Sequence, residues 1–242
     1  MRRCLERRQV TLIPGVELTA LYQWHEVHIL AFDFVPTAMH EILKKREHIV
    51  ALAKRREMNT ARRLFARAGF VVDDRLQPLP NEPVGLTIAR NVYVNQQNQA
   101  YLRARHGRRL SPTEFFTEYQ AFDKPCYTRR SGVSVQWIIR HLRGTAADLI
   151  IAHPFVAVSV FVPRLGWQDL ERLIDMGLTG VEVFHNKTPA GTVRSLLKMA
   201  RQRRIHYTGG SDFHGRRGDV PLGFYGRSRV PSYKLTNFSH AL

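Results

Sequence analysis

The sequence predicts an α/β protein: a β/α barrel or open parallel sheet, interrupted by an all-helical insertion. Three observations lead there. From residue 133 onward, short apolar runs alternate with helical-period segments, in the order helix, strand, helix, strand, helix. The strand-like runs in that half end in residues able to bind metal: His153, His185, and the pair Asp212 and His214. Between residues 37 and 122 the period is helical throughout, with strand-like runs on either side. The expected division is a β/α body formed by 1–36 and 123–242, with a helical insertion at 37–122.

The elements follow in order. Residues 1–9 read as the end of a helix. The runs 10–13 and 16–21 are extended, divided by Pro14 and Gly15. Residues 22–25 turn, and 26–34 form a strand. On that strand Glu26 and His28 share one face and His25 points the other way, so His28 is the stronger ligand candidate. His25-Glu-Val-His28 is not the helical His-Glu-x-x-His motif, because both spacing and secondary structure differ.

From Thr37 the apolar residues Met39, Ile42, Leu43, Ile49, Leu64 and Phe65 recur at helical spacing, and Gly69 is placed as a C-cap. The basic residues of this helix, Lys44, Lys45, Arg46, Lys54, Arg55, Arg56, Arg62 and Arg63, read as a solvated face, with phosphate contact as the alternative. A loop at 71–86 precedes one helix at 87–105, ended by Gly107. Ser111 as N-cap, Pro112 at the first position and Glu114 at the third start the next helix. Residues 133–142 are helical, 149–152 a buried strand of a parallel sheet, 170–176 a helix, 180–184 a strand and 192–204 a helix.

The chain has 242 residues, enough for a sizeable core. Its 37 Lys and Arg against 20 Asp and Glu give a net charge of +17. Two readings stay open: a polyanionic partner such as nucleic acid or nucleotide phosphate, or an arginine-rich bias that aids solubility. Cys4 and Cys126 form no Cys-x-x-Cys pair, which excludes a cysteine zinc site, and free thiols suit a reducing compartment. No apolar run approaches membrane-spanning length. Met1-Arg-Arg-Cys-Leu-Glu6 has no apolar stretch after its charges, so it is not a signal peptide. The expectation is a cytoplasmic protein with no membrane partner and no obligate protein partner.

The chemistry gathers around Tyr207-Thr-Gly-Gly-Ser-Asp-Phe-His-Gly215. Here the two glycines are expected to turn the backbone tightly. Asp212 and His214, two residues apart, then share one side of an extended segment. Ile150-Ile-Ala-His-Pro154, Pro14-Gly-Val-Glu17 and Val27-His-Ile-Leu30 each place one further candidate ligand on a strand-like run. Hard oxygen and borderline nitrogen donors converging in this way are what a divalent metal needs.

On these segments, with Gly180-Val-Glu-Val-Phe184 added, the chain resembles the PHP family, the polymerase and histidinol phosphatase phosphoesterases. The order and spacing fit from about residue 10 to about 223. The helical insertion followed by Lys124-Pro-Cys-Tyr127 is most similar to the branch of nucleoside 3′,5′-bisphosphate phosphatases and a 5′→3′ exoribonuclease that trims short RNAs. The resemblance implies a distorted, TIM-like PHP barrel holding a cluster of divalent ions, with Mn2+ expected first and Zn2+ or Fe2+ as alternatives. It implies metal-assisted hydrolysis of phosphate esters in a nucleotide or short RNA. Glu17, His28, His153, Asp212 and His214 are then the metal ligands, and Glu17, His153 and Asp212 carry the catalysis. Arg129 and Arg130 are expected to hold substrate phosphate. His185 is not carried over and is read as a polar residue closing a strand. The family's opening His-x-His strand and its Asp-His-Asp element have no match here. The expected barrel is therefore incomplete and truncated at its N-terminus, with five of its ligands present. That leaves an alternative: a catalytically inactive, basic, nucleic-acid-binding remnant of the fold.

Overall fold

The computed structural model describes residues 12–156, 164–225, 230–231 and 237. The expected helix end at 1–9, and Val10 and Thr11 of the first extended run, lie outside them. Leu12 and Ile13 are not in a strand.

The sheet begins with a hairpin. Strand β1 (Gly15–Tyr22) pairs antiparallel with β2 (His25–Phe32), in a register that sets Glu17 opposite Leu30 and Thr19 opposite His28. Leu18, Ala20 and Tyr22 of β1, and Val27, Ile29 and Ala31 of β2, turn to the core. The period of two therefore sends Glu17 and His28 to the opposite face, as diagonal neighbours.

Strand β3 (Asp148–Ile151) lies beside β2, followed by β4 (Gly180–His185) and β5 (His206–Gly210), in spatial order β1-β2-β3-β4-β5. The β3–β4 and β4–β5 pairs are parallel, joined by helical crossovers, but β3 runs antiparallel to β2. The sheet is therefore mixed, where the sequence predicts a parallel one. Among the described residues these five strands form an open sheet and do not close into a barrel. A two-stranded ribbon, β6 (Phe224–Tyr225) and β7 (Val230–Pro231), follows.

Among the described residues seven helices accompany the strands: α1 (Pro36–Arg67), α2 (Val84–Val94), α3 (Gln96–His106), α4 (Pro112–Tyr119), α5 (Val135–Leu142), α6 (Trp167–Asp175) and α7 (Ala190–Arg203). Gly69 follows α1 with φ 89°, and Gly107 follows α3 with φ 69°. The expected capping box at Ser111 and Glu114 is formed. The single helix expected over 87–105 is two. Asn95, with extended backbone, breaks it, and its side chain accepts from the backbone N–H of Gln97 at 2.9 Å and of Asn98 at 3.2 Å. An Asn that caps is a better start signal than helix interior.

Two buried clusters form among the described residues. One packs Ala20, Ile29, Ile151 and Val181 of the sheet against Ile138, Leu170 and Leu196 of the flanking helices. The other gathers Phe65, Ile88, Leu102, Phe115 and Cys126. Helix α1 serves both, with Met39 and Ile42 in the first and Met58, Ala61 and Phe65 in the second.

Its basic residues are not all a solvated face. Lys54 donates to the carbonyls of Leu79, Pro80 and Glu82 at 2.9, 2.5 and 3.0 Å, and Arg62 donates to that of Leu76. These side chains supply donors to loop carbonyls. Glu57 of α1 accepts from the backbone N–H of Ser131 at 2.7 Å, and the backbone N–H of Leu21 donates to Val133 at 2.8 Å. The chain returning from the helices is thus stitched to α1 and to the edge of β1. No helix of the described residues is long and apolar enough to cross a membrane.

Candidate metal centre

Glu17, His28 and His153 come together. One ligand atom from each lies within 4.8 Å of the others. Glu17 and His28 are brought side by side by the hairpin register, with Glu17 Oε1 2.7 Å from His28 Nδ1. His153 arrives from the end of β3, its Nε2 3.7 Å from the same Glu17 oxygen. Its ring stands edge-on to that of His28, with centroids 5.1 Å apart.

His153 has φ 28°, a left-handed backbone that a non-glycine residue rarely adopts. Such a conformation costs on the order of 1–3 kcal/mol and persists only where the surroundings impose it. Here the buried carboxylate of Glu182, on β4, accepts the backbone N–H of His153 at 2.9 Å. Glu182 is a site residue that the sequence reading misses. The available signal is a carboxylate between Val181 and Val183 in an otherwise apolar strand, since a lone acid there must be buried and must find a partner.

Asp212 lines the same cleft as Glu17, His153 and Glu182, a space of about 370 Å³. It also has a left-handed backbone, φ 52°. That kink, and not the glycines before it, makes the turn. Gly209 and Gly210 lie within β5, neither with positive φ. Gly210 is required for close approach instead: a Cβ there would sit 2.5 Å from Glu182 Oε1.

His214 stands beside Asp212, its Nδ1 2.7 Å from the Asp212 carbonyl oxygen and 3.5 Å from the carboxylate. It is exposed and lies outside the Glu17–His28–His153 group. The expected set therefore divides into three converging residues, Asp212 in a cleft with two of them, and His214 exposed beside Asp212. His25 points away, 3.5 Å from Asp169. His185 is fully buried, with Nε2 3.9 Å from Asp212 Oδ2.

The charges at the site are coupled. Contacts with His153 and His28 hold the Glu17 carboxyl well below the usual range. Burial alone would push His28 down, but the hydrogen bond to Glu17, with Glu26 alongside at 3.8 Å, raises it to about 9. Glu182 is pushed up to about 7 by burial, and His185 is lowered to about 4 by burial.

Arg130 is engaged differently from the expectation of a free phosphate clamp. It pairs with both carboxylate oxygens of buried Glu26, which in turn flanks His28. Arg129 lies over the exposed Trp24 ring at 5.5 Å. Both arginines line an open cleft of about 430 Å³ between α1 and the segment 129–134.

The fold is that of a class of solved metal-dependent phosphoesterase and amidohydrolase structures. One neighbour, described as a metal-dependent phosphoesterase from Bifidobacterium adolescentis, has a TM-score of 0.55 at 20% identity, covering 96% of this chain and 76% of that one. Another, an amidohydrolase from Chromobacterium violaceum with bound sulfate and no metal, has a TM-score of 0.54 at 20% identity, covering 96% and 78%. In sequence the chain is 25% identical over 212 residues to the 5′-3′ exoribonuclease Rnm of Salmonella typhimurium, covering 85% of this chain and 66% of that protein. The corresponding Escherichia coli protein is 24% identical over the same span. The match thus spans just under two thirds of these relatives' length. No family model matches the chain. The relatives nonetheless bear out the resemblance to the PHP-family phosphoesterases carried by the motifs.

Proposed function

We propose that this chain is a metal-dependent hydrolase of phosphate esters, acting on nucleotides or on the ends of short RNA. The observation that carries the reading is the convergence of Glu17, His28 and His153 within 4.8 Å, with Glu17 and His153 lining a cleft shared with Asp212. The donor set fits a divalent ion: one carboxylate oxygen and two imidazole nitrogens, at a spot where Glu17 stays ionised. Glu17, His28, His153 and Asp212 would hold the ion, with His214 closing from beside Asp212, and Mn2+ is our first expectation. A divalent ion so held lowers the pKa of water and offsets phosphate charge. Glu182 fixes His153. Arg129 is the freer of the two arginines to meet substrate phosphate, because Arg130 already neutralises Glu26. The names of the exoribonuclease relatives support RNA as the substrate class. The family resemblance supports a barrel-type arrangement for the whole fold, and the thiol of Cys126, free and buried, agrees with a reducing location such as the cytoplasm.

The net charge of +17 favours a second reading, an inactive RNA-binding protein of the same fold. Both are tested by incubating the purified chain with 5′-phosphorylated oligoribonucleotides and with a nucleoside 3′,5′-bisphosphate, with Mn2+ or with EDTA. Mn2+-dependent product release that Glu17→Gln and Asp212→Asn abolish is expected. No turnover in any condition, with salt-sensitive RNA binding that survives EDTA, would establish the second reading instead.

A further inference from the structure

His185 ends β4 beside the candidate metal centre, with 0% of its surface exposed. Two facts fix what its ring can do. The backbone N–H of Lys187 donates to His185 Nδ1 at 3.2 Å, so that nitrogen carries a lone pair and no proton. In a neutral imidazole the proton then resides on Nε2. His185 Nε2 is buried with no hydrogen-bond partner, and Asp212 Oδ2 lies 3.9 Å from it.

This tautomer argues against His185 as a ligand. For Nε2 to bind a metal, Nδ1 would have to carry the proton, and would then meet the Lys187 N–H donor to donor. It also argues against His153 as the partner. The rings are 5.4 Å apart between centroids, and His153 Nδ1 is likewise buried and unpartnered. If His153 Nε2, which faces Glu17, takes the metal, its Nδ1 becomes a donor. Two donors cannot satisfy each other. The charged acceptor beside Nε2 is the Asp212 carboxylate, 3.9 Å away. Asp212 is also the movable side of the pair, 29% exposed on a kinked backbone, whereas His185 is held at its other nitrogen.

We propose that His185 is a positioning residue: its Nε2–H donates to Asp212 and orients that carboxylate toward the ion. The proposal rests on the metal-centre reading above. It extends to this chain the general rule that outer partners aim metal ligands, and that their loss weakens metal affinity by about 10–100-fold.

The test uses the whole chain and needs no turnover. Long-range 1H–15N NMR of histidine-labelled protein, with His185 assigned by its loss in His185→Gln, reads the tautomer without metal and with Zn2+. A proton on Nε2 and none on Nδ1 in both states is expected. Loss of the Nε2 proton on Zn2+ loading, with coupling of that nitrogen to 113Cd2+ substituted for Zn2+, would make His185 a ligand and overturn the proposal. Zn2+ affinity by chelator competition is the second readout. His185→Leu should weaken it about 10–100-fold, and His185→Gln, whose amide N–H can replace Nε2–H, should restore most of it. Equal weakening by both variants, or by neither, overturns the proposal. Should His185→Leu fail to fold, the wild-type tautomer and the Gln variant still decide. If the chain binds no Zn2+, the metal centre and this proposal fall together. If it binds Zn2+ with the stated tautomer but hydrolyses nothing, only the functional reading falls.

Discussion

The carboxylate of Glu182 accepts the backbone N–H of His153 at 2.9 Å, tying the loop after β3 to β4. The bond holds a candidate metal ligand in a strained conformation, at the expense of a buried carboxylate pushed up to about 7. The folded chain therefore binds more protons than the unfolded chain between pH 4.5 and about 7. Stability must fall as pH rises through that window, by on the order of 3 kcal/mol from this group. Glu182→Gln keeps an acceptor oxygen and removes the ionisation. Urea unfolding in EDTA at about pH 5 and about pH 8 should show a smaller loss in the Gln variant than in the wild type. Equal losses in the two proteins would mean that Glu182 does not titrate in this window.

Gly210 is where this arrangement is most easily broken. A Cβ at that position meets Glu182 Oε1 at 2.5 Å, so the carboxylate must shift or β5 must move. Gly210→Ala is expected to cost about 1–3 kcal/mol, as overpacking does. It should also weaken metal binding, because His153 loses its anchor. Unaltered metal affinity in a folded Gly210→Ala protein would show that Glu182 does not set the position of His153.

As a metal ligand, His28 should make metal binding pH-dependent. Its pKa is raised to about 9 because Glu17 and Glu26 outweigh the effect of burial. Below that pH a metal must displace the proton to reach the ring. Apparent Mn2+ affinity should rise about tenfold per pH unit from neutral pH toward about 9, then flatten. The measurement is chelator competition across that range. Affinity that does not change with pH would remove His28 from the ligand set.

Much of the centre is legible in the sequence alone. Glu17 and His28 stand out because a period of two puts each on a strand face away from the core. His153 stands out because it ends the apolar run Leu149 to Ala152. What the sequence does not show is non-local. Glu182 gains its meaning only when β4 lies beside the loop after β3. Gly210 gains its meaning only from the Glu182 oxygen next to it. Arg130 and Glu26 meet across 104 residues of separation, so the pairing of an arginine read as a phosphate ligand could not be seen in the sequence. The break at Asn95 is hidden for a local reason: apolar residues on both sides keep the helical period, and the cap that divides them is a single polar side chain. The strand pairing is least legible, since the apolar run of β3 is the same whether its neighbour runs parallel or antiparallel.

Cys126 is predicted to be inert. It is fully buried, and burial pushes its thiol up to about 12. Only the thiolate reacts, so a disulfide reagent at neutral pH should modify Cys126 far more slowly in the folded protein than in urea. A Cys4→Ser variant isolates its signal. Rapid modification in the folded state would mean that the helical cluster around Phe65 and Phe115 opens readily.

The two adjacent arginines should separate by experiment. Arg130 neutralises Glu26, whose side chain is only 3% exposed, whereas 32% of the Arg130 side chain reaches solvent. Arg130→Ala leaves a buried carboxylate without its cation. The expected cost is about 1–3 kcal/mol, below that of a fully buried pair because water reaches the arginine side. Glu26 also flanks His28, so metal affinity should change as well. Arg129 lies over Trp24, which is 55% exposed, and its removal should change stability by no more than about 0.5 kcal/mol. If Arg129 meets substrate phosphate, Arg129→Ala should raise KM for a phosphorylated oligoribonucleotide while leaving unfolding and metal affinity unchanged. A stability loss at Arg129 with KM unaltered, or the reverse pattern at Arg130, would exchange the roles assigned to them.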